Sequence, residues 1–238
     1  MDLDKIRLNK YLSSVGFCSR RKADELVSEG RIIVNGLPAQ NGMGVSDEDE
    51  IAIDGVKVTV KMKEQHAVWL GYYKPRGLVC SREGQGSSTI WEALDLKENL
   101  ISVGRLDKDS EGLLLLTNQG EASDRLSRAR NHHEKEYIVD IDRPVTGEFI
   151  KKMSTGVEIL GTVTRECRVY RISKYRFGIV LTQGLNRQIR RMCKACGANV
   201  TALKRIRFCN VALGDMKPGD VRELTDEEIM ILEKIGKE

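Results

Sequence analysis

Four consecutive leucines, at positions 113–116, restrict the fold of this chain more than any other feature of its sequence. They belong to the segment GRLDKDSEGLLLLT, in which a charged, glycine-containing turn comes directly before the apolar run. A short apolar run bounded by turn residues is consistent with a strand buried on both faces. We therefore expect Asp107, flanked by Arg105 and Lys108, at the entrance to a buried strand. The alternative is an ordinary solvated acid in a surface loop.

The composition predicts a soluble globular protein with enough apolar residues for a core, since 40% of the residues are hydrophobic and 31% are charged. A length of 238 residues favours a small domain joined to a medium one. The first residues, MDLDKIRLNK, are too charged for a secretory signal, and no apolar run approaches the ~20 residues that span a membrane. We expect a cytoplasmic protein that does not bind membranes. Six irregularly spaced cysteines are expected to be reduced thiols.

The basic residues are unevenly distributed, although the net charge is only +4. Between Glu166 and Asp215 the chain has no acidic residue and eleven arginines and lysines. Such a window indicates a polyanionic partner.

The first sixty residues predict two short helices and a small sheet. Apolar residues at helical spacing precede Gly16, Ser19 can cap a second helix, and the segments RIIVNG and IAIDGVKVTV are typical of strands with Asn-Gly and Asp-Gly turns. Basic residues cluster around the helix pair, as an RNA-binding surface or as an ordinary solvated face: Lys5, Arg7, Lys10, Arg20, Arg21, Lys22 and Arg31. The order of these elements resembles the S4 RNA-binding domain over about residues 5–55. That resemblance implies contacts with phosphates near a duplex stem.

We divide the chain into an S4-like domain at 1–60, a linker at 61–66 and a second domain at 67–238. The polar segment KMKEQH forms the predicted linker. Beyond it, five apolar segments predict strands, namely VWLGYY, GLLLLT, EYIVDI, CRVYRI and FGIVLT. Thr146 can cap one helix, and Thr225 with Glu228 can form a capping box for another. Clustered strands with separated helices favour an α+β domain with a mixed, mainly antiparallel sheet.

The segment NRQIRRMCKACG contains a CxxC pair, which is a weak indication of a metal site. A structural zinc site needs four ligands, and the sequence has no second such pair. On a helix, Cys193 and Cys196 share an apolar stripe with Met192, so we predict that they pack in the core. Arg187, Arg190, Arg191, Lys194 and the polar Gln188 then lie on the remaining surface, and one of these arginines can meet Asp107. The adjacent His132 and His133 point in different directions on any regular element, and we predict no metal site.

Four motifs resemble the pseudouridine synthases of the RsuA/RluB/E/F family, and most closely its F-type members, which act on large-subunit rRNA. In chain order they are KPRG at 74–77, GRLDKDSEGLLLLT at 104–117, KEYIV at 135–139 and QGLNRQIRRM at 183–192. With the S4-like start, the resemblance covers nearly the whole chain. Ser110 stands where threonine is commoner in the family.

The resemblance implies an α+β catalytic domain with the active site in a cleft across its sheet. Asp107 is then the catalytic aspartate, Tyr137 lies against the target uracil, and Arg190 pairs with the aspartate. Arg105 is expected beside the flipped-out nucleotide. We expect RNA contacts from a set of basic residues in both domains, namely Lys74, Arg105, Arg187, Arg191, Arg7, Lys10, Arg20, Arg21 and Lys22.

The implied reaction turns uridine into pseudouridine, a rearrangement without net oxidation or reduction, so we expect no cofactor and no metal. The expected partner is RNA, a hairpin of 23S rRNA with tRNA as a second substrate, and the expected state is a monomer. One rival is a non-catalytic RNA-binding or ribosome-assembly protein, which leaves the GRLD segment unexplained. The other is an aspartyl-phosphate phosphatase, because DKDS loosely matches its DxDx[TV] pattern, but that pattern expects an apolar strand before the first acid.

Overall fold

The computed structural model describes five stretches of the chain, 5–15, 17–58, 66–94, 100–128 and 132–235. The chain forms two compact units, Met1–His66 and Ala67–Glu238. Apart from His66, the interval predicted as a linker lies outside the described residues, as do Gly16 and the last two residues of IAIDGVKVTV. No helix in the described stretches combines the length and the apolar character needed to cross a membrane.

The N-terminal unit is built as the sequence predicts, from two helices over small antiparallel sheets. Its elements are β1 (Ile6–Arg7), α1 (Leu8–Ser14), α2 (Arg20–Ser28), β2 (Ile32–Val34), β3 (Leu37–Pro38), β4 (Gly44–Val45), β5 (Ile51–Ile53) and β6 (Val56–Lys57). One sheet has the order β3-β2-β5-β6, and β1 pairs with β4. The Ser19 side chain accepts a hydrogen bond from the Lys22 backbone amide, 3.2 Å away, which confirms the predicted cap.

The core of this unit forms between the two helices and the paired strands β2 and β5. Apolar side chains of both helices and of β2 and β5 are buried there, namely Leu8, Tyr11, Leu12, Ala23, Leu26, Val27, Ile32, Val34, Ile51 and Ile53. Asn35 and Asp54 take positive φ angles of 51° before their glycines, as tight hairpin turns require. Burial of one face of each helix leaves their polar faces to solvent.

The second unit is an α+β domain around one large sheet. Its elements are β7 (Trp69–Lys74), α3 (Ile90–Leu94), β8 (Ile101–Ser102), β9 (Glu111–Thr117), α4 (Gly120–Ser127), β10 (Lys135–Ile141), α5 (Gly147–Ser154), β11 (Glu158–Ile159), β12 (Thr162–Val163), β13 (Arg168–Arg171), β14 (Arg176–Leu181), α6 (Gln188–Ala195), β15 (Val200–Phe208), β16 (Val211–Ala212), β17 (Val221–Glu223) and α7 (Asp226–Ile235). The five strands predicted from apolar segments are present.

The large sheet has the strand order β13-β14-β10-β15-β9-β7-β17, with β8 and β16 paired at its sides. Its strands pair antiparallel except for β9 and β15, which are parallel. The sheet is therefore mixed and mainly antiparallel, as predicted. The longest strand, β15, was not predicted, because its sequence VTALKRIRF interrupts the apolar residues with four basic or polar ones.

The leucine strand β9 lies near the middle of this sheet, and all four leucines are completely buried. Leu113 and Leu115 pack in one core cluster, with Trp69, and Leu114 and Leu116 pack in another, on the opposite face of the sheet. Gly112 has a φ of 110°, and a Cβ at this position would lie 2.2 Å from the carbonyl oxygen of Arg205 in β15. Only glycine can therefore occupy this place, where the turn before β9 meets β15.

The predicted helix caps of this unit are also present. The Thr146 side chain accepts a hydrogen bond from the Phe149 amide at 3.1 Å, at the start of α5. Thr225 and Glu228 form the reciprocal pair of a capping box, with distances of 2.9 and 3.2 Å, at the start of α7. These caps fix where the two helices begin.

Candidate active site

A cavity of about 660 Å³ opens in the second unit, beside the turn that leads into β9. Its wall is formed by that turn, by strands β10, β14 and β15, and by the loop that enters α6. Five residues singled out from the sequence line it or stand at its rim, namely Arg105, Asp107, Tyr137, Arg187 and Gln188. The fold therefore brings together residues that are far apart in sequence, since Arg105 and Gln188 are 83 positions apart.

Asp107 lies in the wall of this cavity on a turn that is held from several sides. The Ser110 amide donates to the Asp107 carbonyl at 3.0 Å, and the Gly77 amide donates to the Lys108 carbonyl at 2.8 Å. Just before the aspartate, the buried Cys80 thiol donates to the Leu106 carbonyl and accepts from the Leu106 amide, both at 3.4 Å. The carboxylate itself is about one third exposed, 33%. The backbone is thus fixed while the carboxylate stays accessible from the cavity.

The arginine nearest to Asp107 is Arg187, and the predicted direct pairing of Asp107 with Arg190 is wrong in this structure. An Nη of Arg187 lies 3.9 Å from the carboxylate of Asp107 and 3.5 Å from that of Asp109. Arg187 precedes α6 in the left-handed region, with a φ of 50°. Such strained residues cluster at functional sites. The reason for the difference is that Arg187 comes before the helix, beside the cavity, whereas Arg190 is already in its first turn.

Arg190 contacts the turn that carries Asp107 and not the aspartate side chain. Its guanidinium donates to the Asp109 carbonyl at 3.0 Å and to the Ser110 hydroxyl at 3.4 Å, and on its other side to the Val200 carbonyl at 3.4 Å. Desolvation, followed by the nearby Arg187, lowers the pKa of Arg190 from its ordinary value. Arg190 therefore connects α6, β15 and the turn, and it acts on Asp107 through the turn.

Tyr137 lies on β10, half-buried, and lines the cavity. In the sheet its neighbours are Ile179 on β14 and Arg205 on β15. It also packs against two core clusters, the one that contains Val139 and Phe177 and the one that contains Leu114 and Leu116. The tyrosine is therefore firmly seated at the cavity wall.

Lys74, predicted to contact RNA, is completely buried, and that prediction is wrong. Its amine donates to the carbonyls of Pro75 and Ser110, both at 2.8 Å. Burial is the largest influence on this amine and lowers its pKa. Because Lys74 satisfies carbonyls on both sides of the turn, it holds the end of β7 to the start of β9. A phosphate cannot reach it.

Two further cations in the cavity wall were not singled out from the sequence. Lys135, on β10, is 8% exposed, and Arg205, on β15, is 1% exposed. Burial, followed by the charge of Arg205, lowers the pKa of Lys135 to about 8. Lys135 could have been predicted from the KEYIV motif. It is two residues from Tyr137, and alternate residues of a strand share a face. Arg205 had no such signal, because its strand was not predicted.

The remaining basic residues predicted to contact RNA differ in their solvent exposure and in the contacts that they make within the protein. In the second unit both Arg105 and Arg191 are exposed, but Arg191 donates to the backbone and side chain of Asn186. In the N-terminal unit, Arg7, Arg20, Arg21 and Lys22 are exposed and Lys10 is partly so. Lys22 forms an ion pair with Glu25 at 3.1 Å. Their contacts with RNA stay a prediction.

The CxxC pair packs as predicted. Cys193 is completely buried in the core cluster that contains Met192 and Ile189, and burial raises the pKa of its thiol to about 12. Gln188, expected on the polar side of the helix, is buried instead, and its side chain accepts from the Leu185 amide at 3.0 Å at the start of α6. Within the described stretches, no group of three or more potential metal-ligating side chains lies together.

Comparisons with known proteins agree with this geometry. The family model for RNA pseudouridylate synthase matches residues 68–195, and the S4 domain model matches residues 6–51. The chain is 43% identical to the dual-specificity RNA pseudouridine synthase RluF of Escherichia coli K12, over 97% of this chain and 79% of that protein. It is 32% identical to the ribosomal large subunit pseudouridine synthase B of Bacillus subtilis 168, over 97% of this chain and 96% of that protein.

A solved structure matches nearly the whole length of the chain. A crystal structure of a pseudouridylate synthase aligns with a TM-score of 0.71 at 29% identity, over 95% of this chain and 99% of that one. The fold class predicted from the sequence is thereby confirmed, with an S4 domain followed by a pseudouridine synthase domain. The cavity with its aspartate agrees with these matches. Because the family model and the similar relatives cover most of its length, this chain belongs to the RNA pseudouridylate synthase family and is an S4-containing RNA pseudouridine synthase.

Proposed function

We propose that this enzyme converts one uridine in a hairpin of 23S rRNA into pseudouridine, that it accepts tRNA as a second substrate, and that Asp107 is the residue that reacts with the sugar. The observation that carries the proposal is the position of Asp107, fixed by its backbone in the wall of a large cavity while its carboxylate stays accessible. Relatives named for dual specificity and for the large ribosomal subunit support the choice of RNA.

The reaction breaks the bond between N1 of uracil and C1′ of the ribose and forms a bond between C5 and C1′. The electron pair of the broken bond leaves with N1, and at the end C5 loses its proton while N1 gains one. An ionised carboxylate starts this either by attacking C1′ or by removing the proton from C2′. Both routes need the carboxylate at the sugar and the detached base kept in place, which a lined cavity provides.

Tyr137 and Arg105 are proposed to hold the flipped-out nucleotide. A tyrosine ring in the cavity wall offers a face for the uracil, and such stacking is worth about 1 to 3 kcal/mol per base. Arg105 is exposed in the lining next to Asp107 and can contact the neighbouring phosphate. Taking a base out of a folded RNA costs a few kcal/mol, which these contacts offset.

The arginines around α6 are proposed to orient Asp107 and to attract the RNA backbone. Arg187 is close to both Asp107 and Asp109, so its charge attracts both carboxylates and restrains the direction in which Asp107 points. Arg190 is a positioning residue, because its contacts are with the turn. The exposed Arg191 and the basic residues of the N-terminal unit are proposed to bind phosphates.

We propose that the enzyme works as a monomer in the cytoplasm. The residues proposed to act in the cavity come from a single chain, and no second copy is needed to complete the site. Light scattering of the purified protein with and without RNA measures this state directly.

The test of the proposed function replaces Asp107 by asparagine, which removes the charge and keeps the size. Asp109→Asn is the matched control, because Asp109 is also an exposed carboxylate that Arg187 approaches. With RNA carrying tritium at C5 of its uridines, formation of the new carbon bond must release the tritium. We expect Asp107→Asn to lower the release by about 10³-fold or more and to leave RNA affinity nearly unchanged. Asp109→Asn is expected to retain most of the activity.

The proposal fails if Asp107→Asn keeps more than about a tenth of the wild-type rate, or if both variants lose activity equally. In the first case the carboxylate is not the reacting group. In the second case the change acts through the shape of the turn. The target uridine is found by mapping pseudouridine in 23S rRNA and tRNA after treatment with the enzyme.

A further inference from the structure

Two buried cations line the same cavity as Asp107, and neither has an acidic partner among the residues that the structure describes. The amine of Lys135 donates to the His133 carbonyl at 3.1 Å, and Nε of Arg205 donates to the Leu113 carbonyl at 2.7 Å. An Nη of Arg205 is fully buried without a hydrogen-bond partner in the described part of the chain. The groups that influence the charge of Lys135 are Arg205 and the Cys209 thiol, with no carboxylate among them.

Both cations are held against one aromatic ring. The Lys135 amine lies 5.3 Å and the Arg205 guanidinium carbon 5.4 Å from the centre of the Phe208 ring. A register shift after Glu136 places Tyr137, two residues from Lys135 on the same strand face, opposite Arg205. Bulges of this kind redirect side chains beside active sites. Tyrosine, lysine and arginine are thereby brought to one part of the cavity wall.

Such a pair is electrostatically incomplete. Buried charges are normally paired, and leaving them unpaired carries a large desolvation penalty. An arginine side chain stays charged in proteins, so it cannot avoid the penalty by losing its proton. The face of Phe208 and two carbonyl groups compensate only part of it. An anion in the cavity completes the balance.

We propose that Lys135 and Arg205 bind the uracil anion after it has separated from the ribose. This inference extends the proposed function to the base, whereas Asp107 acts on the sugar. When the bond between N1 and C1′ breaks, its electron pair stays on the base and spreads over N1, O2 and O4. The Lys135 amine donates a hydrogen bond to this charge, and the guanidinium of Arg205, enclosed behind the cavity wall, stabilises it through its positive charge without touching it. They release it when C5 bonds to C1′, C5 loses its proton and N1 is protonated.

The charge of the base fits these residues better than a backbone phosphate does. The two cations are almost completely buried and lie beside Tyr137, in the part of the wall that we assign to uracil. Exposed arginines, Arg105 and Arg187, already stand at the cavity where the phosphates of a flipped nucleotide stay in water. Donors placed where charge develops during a reaction are worth more in a site from which water is excluded.

The first test compares Lys135→Gln with Lys135→Arg. Glutamine keeps a donor for the His133 carbonyl and loses the charge, whereas arginine keeps the charge. We expect the single-turnover rate of Lys135→Gln to fall about 10²-fold, as for the loss of a donor to a developing anion, and that of Lys135→Arg to stay within about tenfold of wild type. RNA affinity is expected to change by less than about twofold in both. A Lys135→Gln rate within about twofold of wild type would overturn the proposal.

The second test changes the base instead of the protein. Fluorine at C5 makes uracil a better leaving group, so a 5-fluorouridine target depends less on cationic support. We expect the deficit of Lys135→Gln, measured as disappearance of the target nucleoside in digested RNA, to shrink at least about tenfold with this substrate. Equal deficits with both substrates would show that the lysine supports only the structure, and would contradict the inference.

The third test measures how the rate depends on pH, and its main measurement uses the wild type, which does not depend on whether a variant folds. The groups that face Lys135 are Arg205, the Cys209 thiol and His133, and burial raises the pKa of that thiol to about 11. Lys135 is charged below its pKa of about 8. We therefore expect kcat/KM of the wild type to fall as the pH rises above about 8, and that of Lys135→Arg to stay level there. Identical profiles would count against the proposal.

These outcomes separate this inference from the proposed function. If the wild type releases no tritium from any RNA, the proposed function fails before Lys135 is considered. If the wild type is active and Asp107→Asn is inactive, but the lysine variants behave as wild type, only the role of Lys135 and Arg205 in binding the base anion is wrong.

Discussion

The two units of this protein use their cations in opposite ways. In the N-terminal unit the basic side chains around the helices are on the surface, among them Arg7, Arg20 and Arg21. The catalytic unit also has surface arginines, but among its described residues it buries three cations, namely Lys74, Lys135 and Arg205. Surface charges attract a polyanion over a distance and are screened by salt. Buried charges act over a few ångströms at a fixed place, so we expect the same residue types to give affinity in one unit and geometry in the other.

The largest difference between the units is expected in the stability lost when a cation is removed, and the most buried cation is Lys74. Lys74→Ala leaves the carbonyls of Pro75 and Ser110 without a donor and opens a space in the core, so we expect a loss of about 3 kcal/mol in the free energy of unfolding of the catalytic unit. Lys22→Ala, at an exposed ion pair of the N-terminal unit, is expected to change stability by less than about 0.5 kcal/mol. Urea denaturation measures both, and equal losses would remove the distinction.

Arg190 is predicted to affect catalysis more than binding. Arg190→Ala removes the contacts to the Asp109 carbonyl and the Ser110 hydroxyl, so the turn that carries Asp107 is less well held. We expect the single-turnover rate at saturating RNA to fall about 10²-fold, because small displacements of a reacting group are costly. Arg191→Ala is the matched control on the neighbouring exposed position. Equal losses in rate and in RNA affinity for Arg190→Ala would contradict its role as a positioning residue.

Replacement of surface cations is predicted to affect RNA binding more than catalysis. With both Arg20 and Arg21 replaced by alanine, RNA binding is expected to weaken about tenfold at low salt, while the rate at saturating RNA stays unchanged. The slope of log affinity against log salt concentration is expected to become shallower by about 1.5, since each phosphate contact contributes roughly 0.7 to 0.9. Filter binding over a series of salt concentrations measures the slope. An unchanged slope would mean that these arginines do not contact RNA.

The smallest expected difference between the units is in how much one ion pair of each unit contributes to stability, and how this contribution changes at low pH. The Arg222 guanidinium, which donates to Glu228 at 2.7 and 2.8 Å, holds the pKa of that carboxyl below its ordinary value. A lowered pKa means that the stabilisation is fully present above about pH 4.5, the ordinary value, and is lost as the pH falls through the lowered one. Glu228→Gln is therefore expected to lower stability by about 1 kcal/mol at pH 7, and less at pH 3.

The variant to compare with Glu228→Gln is Glu25→Gln in the N-terminal unit. Glu25 and its ion-pair partner Lys22 are both largely exposed, so we expect Glu25→Gln to cause no measurable change in stability at either pH. Urea denaturation at pH 7 and pH 3 provides the measurement. A pH-independent effect of Glu228→Gln would show that the amide loses packing or capping contacts and not the charge.

Local patterns in the sequence predicted most of the fold. The caps at Ser19, Thr146 and Thr225, the glycine turns of the N-terminal unit and the apolar strands follow from side-chain chemistry within a few residues. Strand β15 could not be found in this way. Its basic residues are buried or half-buried only because β9 and β10 cover them on either side, which is information about the whole sheet.

The candidate site was predictable to the level of its motifs, but not to the level of its contacts. Asp107 and Tyr137 do line one cavity, as the order of the motifs implied. Which arginine approaches Asp107 depends on where α6 begins and on the left-handed conformation of Arg187, and neither is visible in a run of basic residues. Lys74 looked like a surface lysine, because the sequence does not reveal that the carbonyls of Pro75 and Ser110 surround it.

The parallel pairing of β9 with β15 has a consequence for the synthesis of this protein on the ribosome. β9 ends at Thr117, but its neighbour on one side is completed only at Phe208, some ninety residues later. Pairings between such distant segments form slowly, and until they form the apolar surface around them stays exposed. A nascent chain that ends before β15 lacks the strand that pairs with the start of β9, next to the turn that carries Asp107. We therefore expect the enzyme to modify RNA only when its own translation is nearly complete.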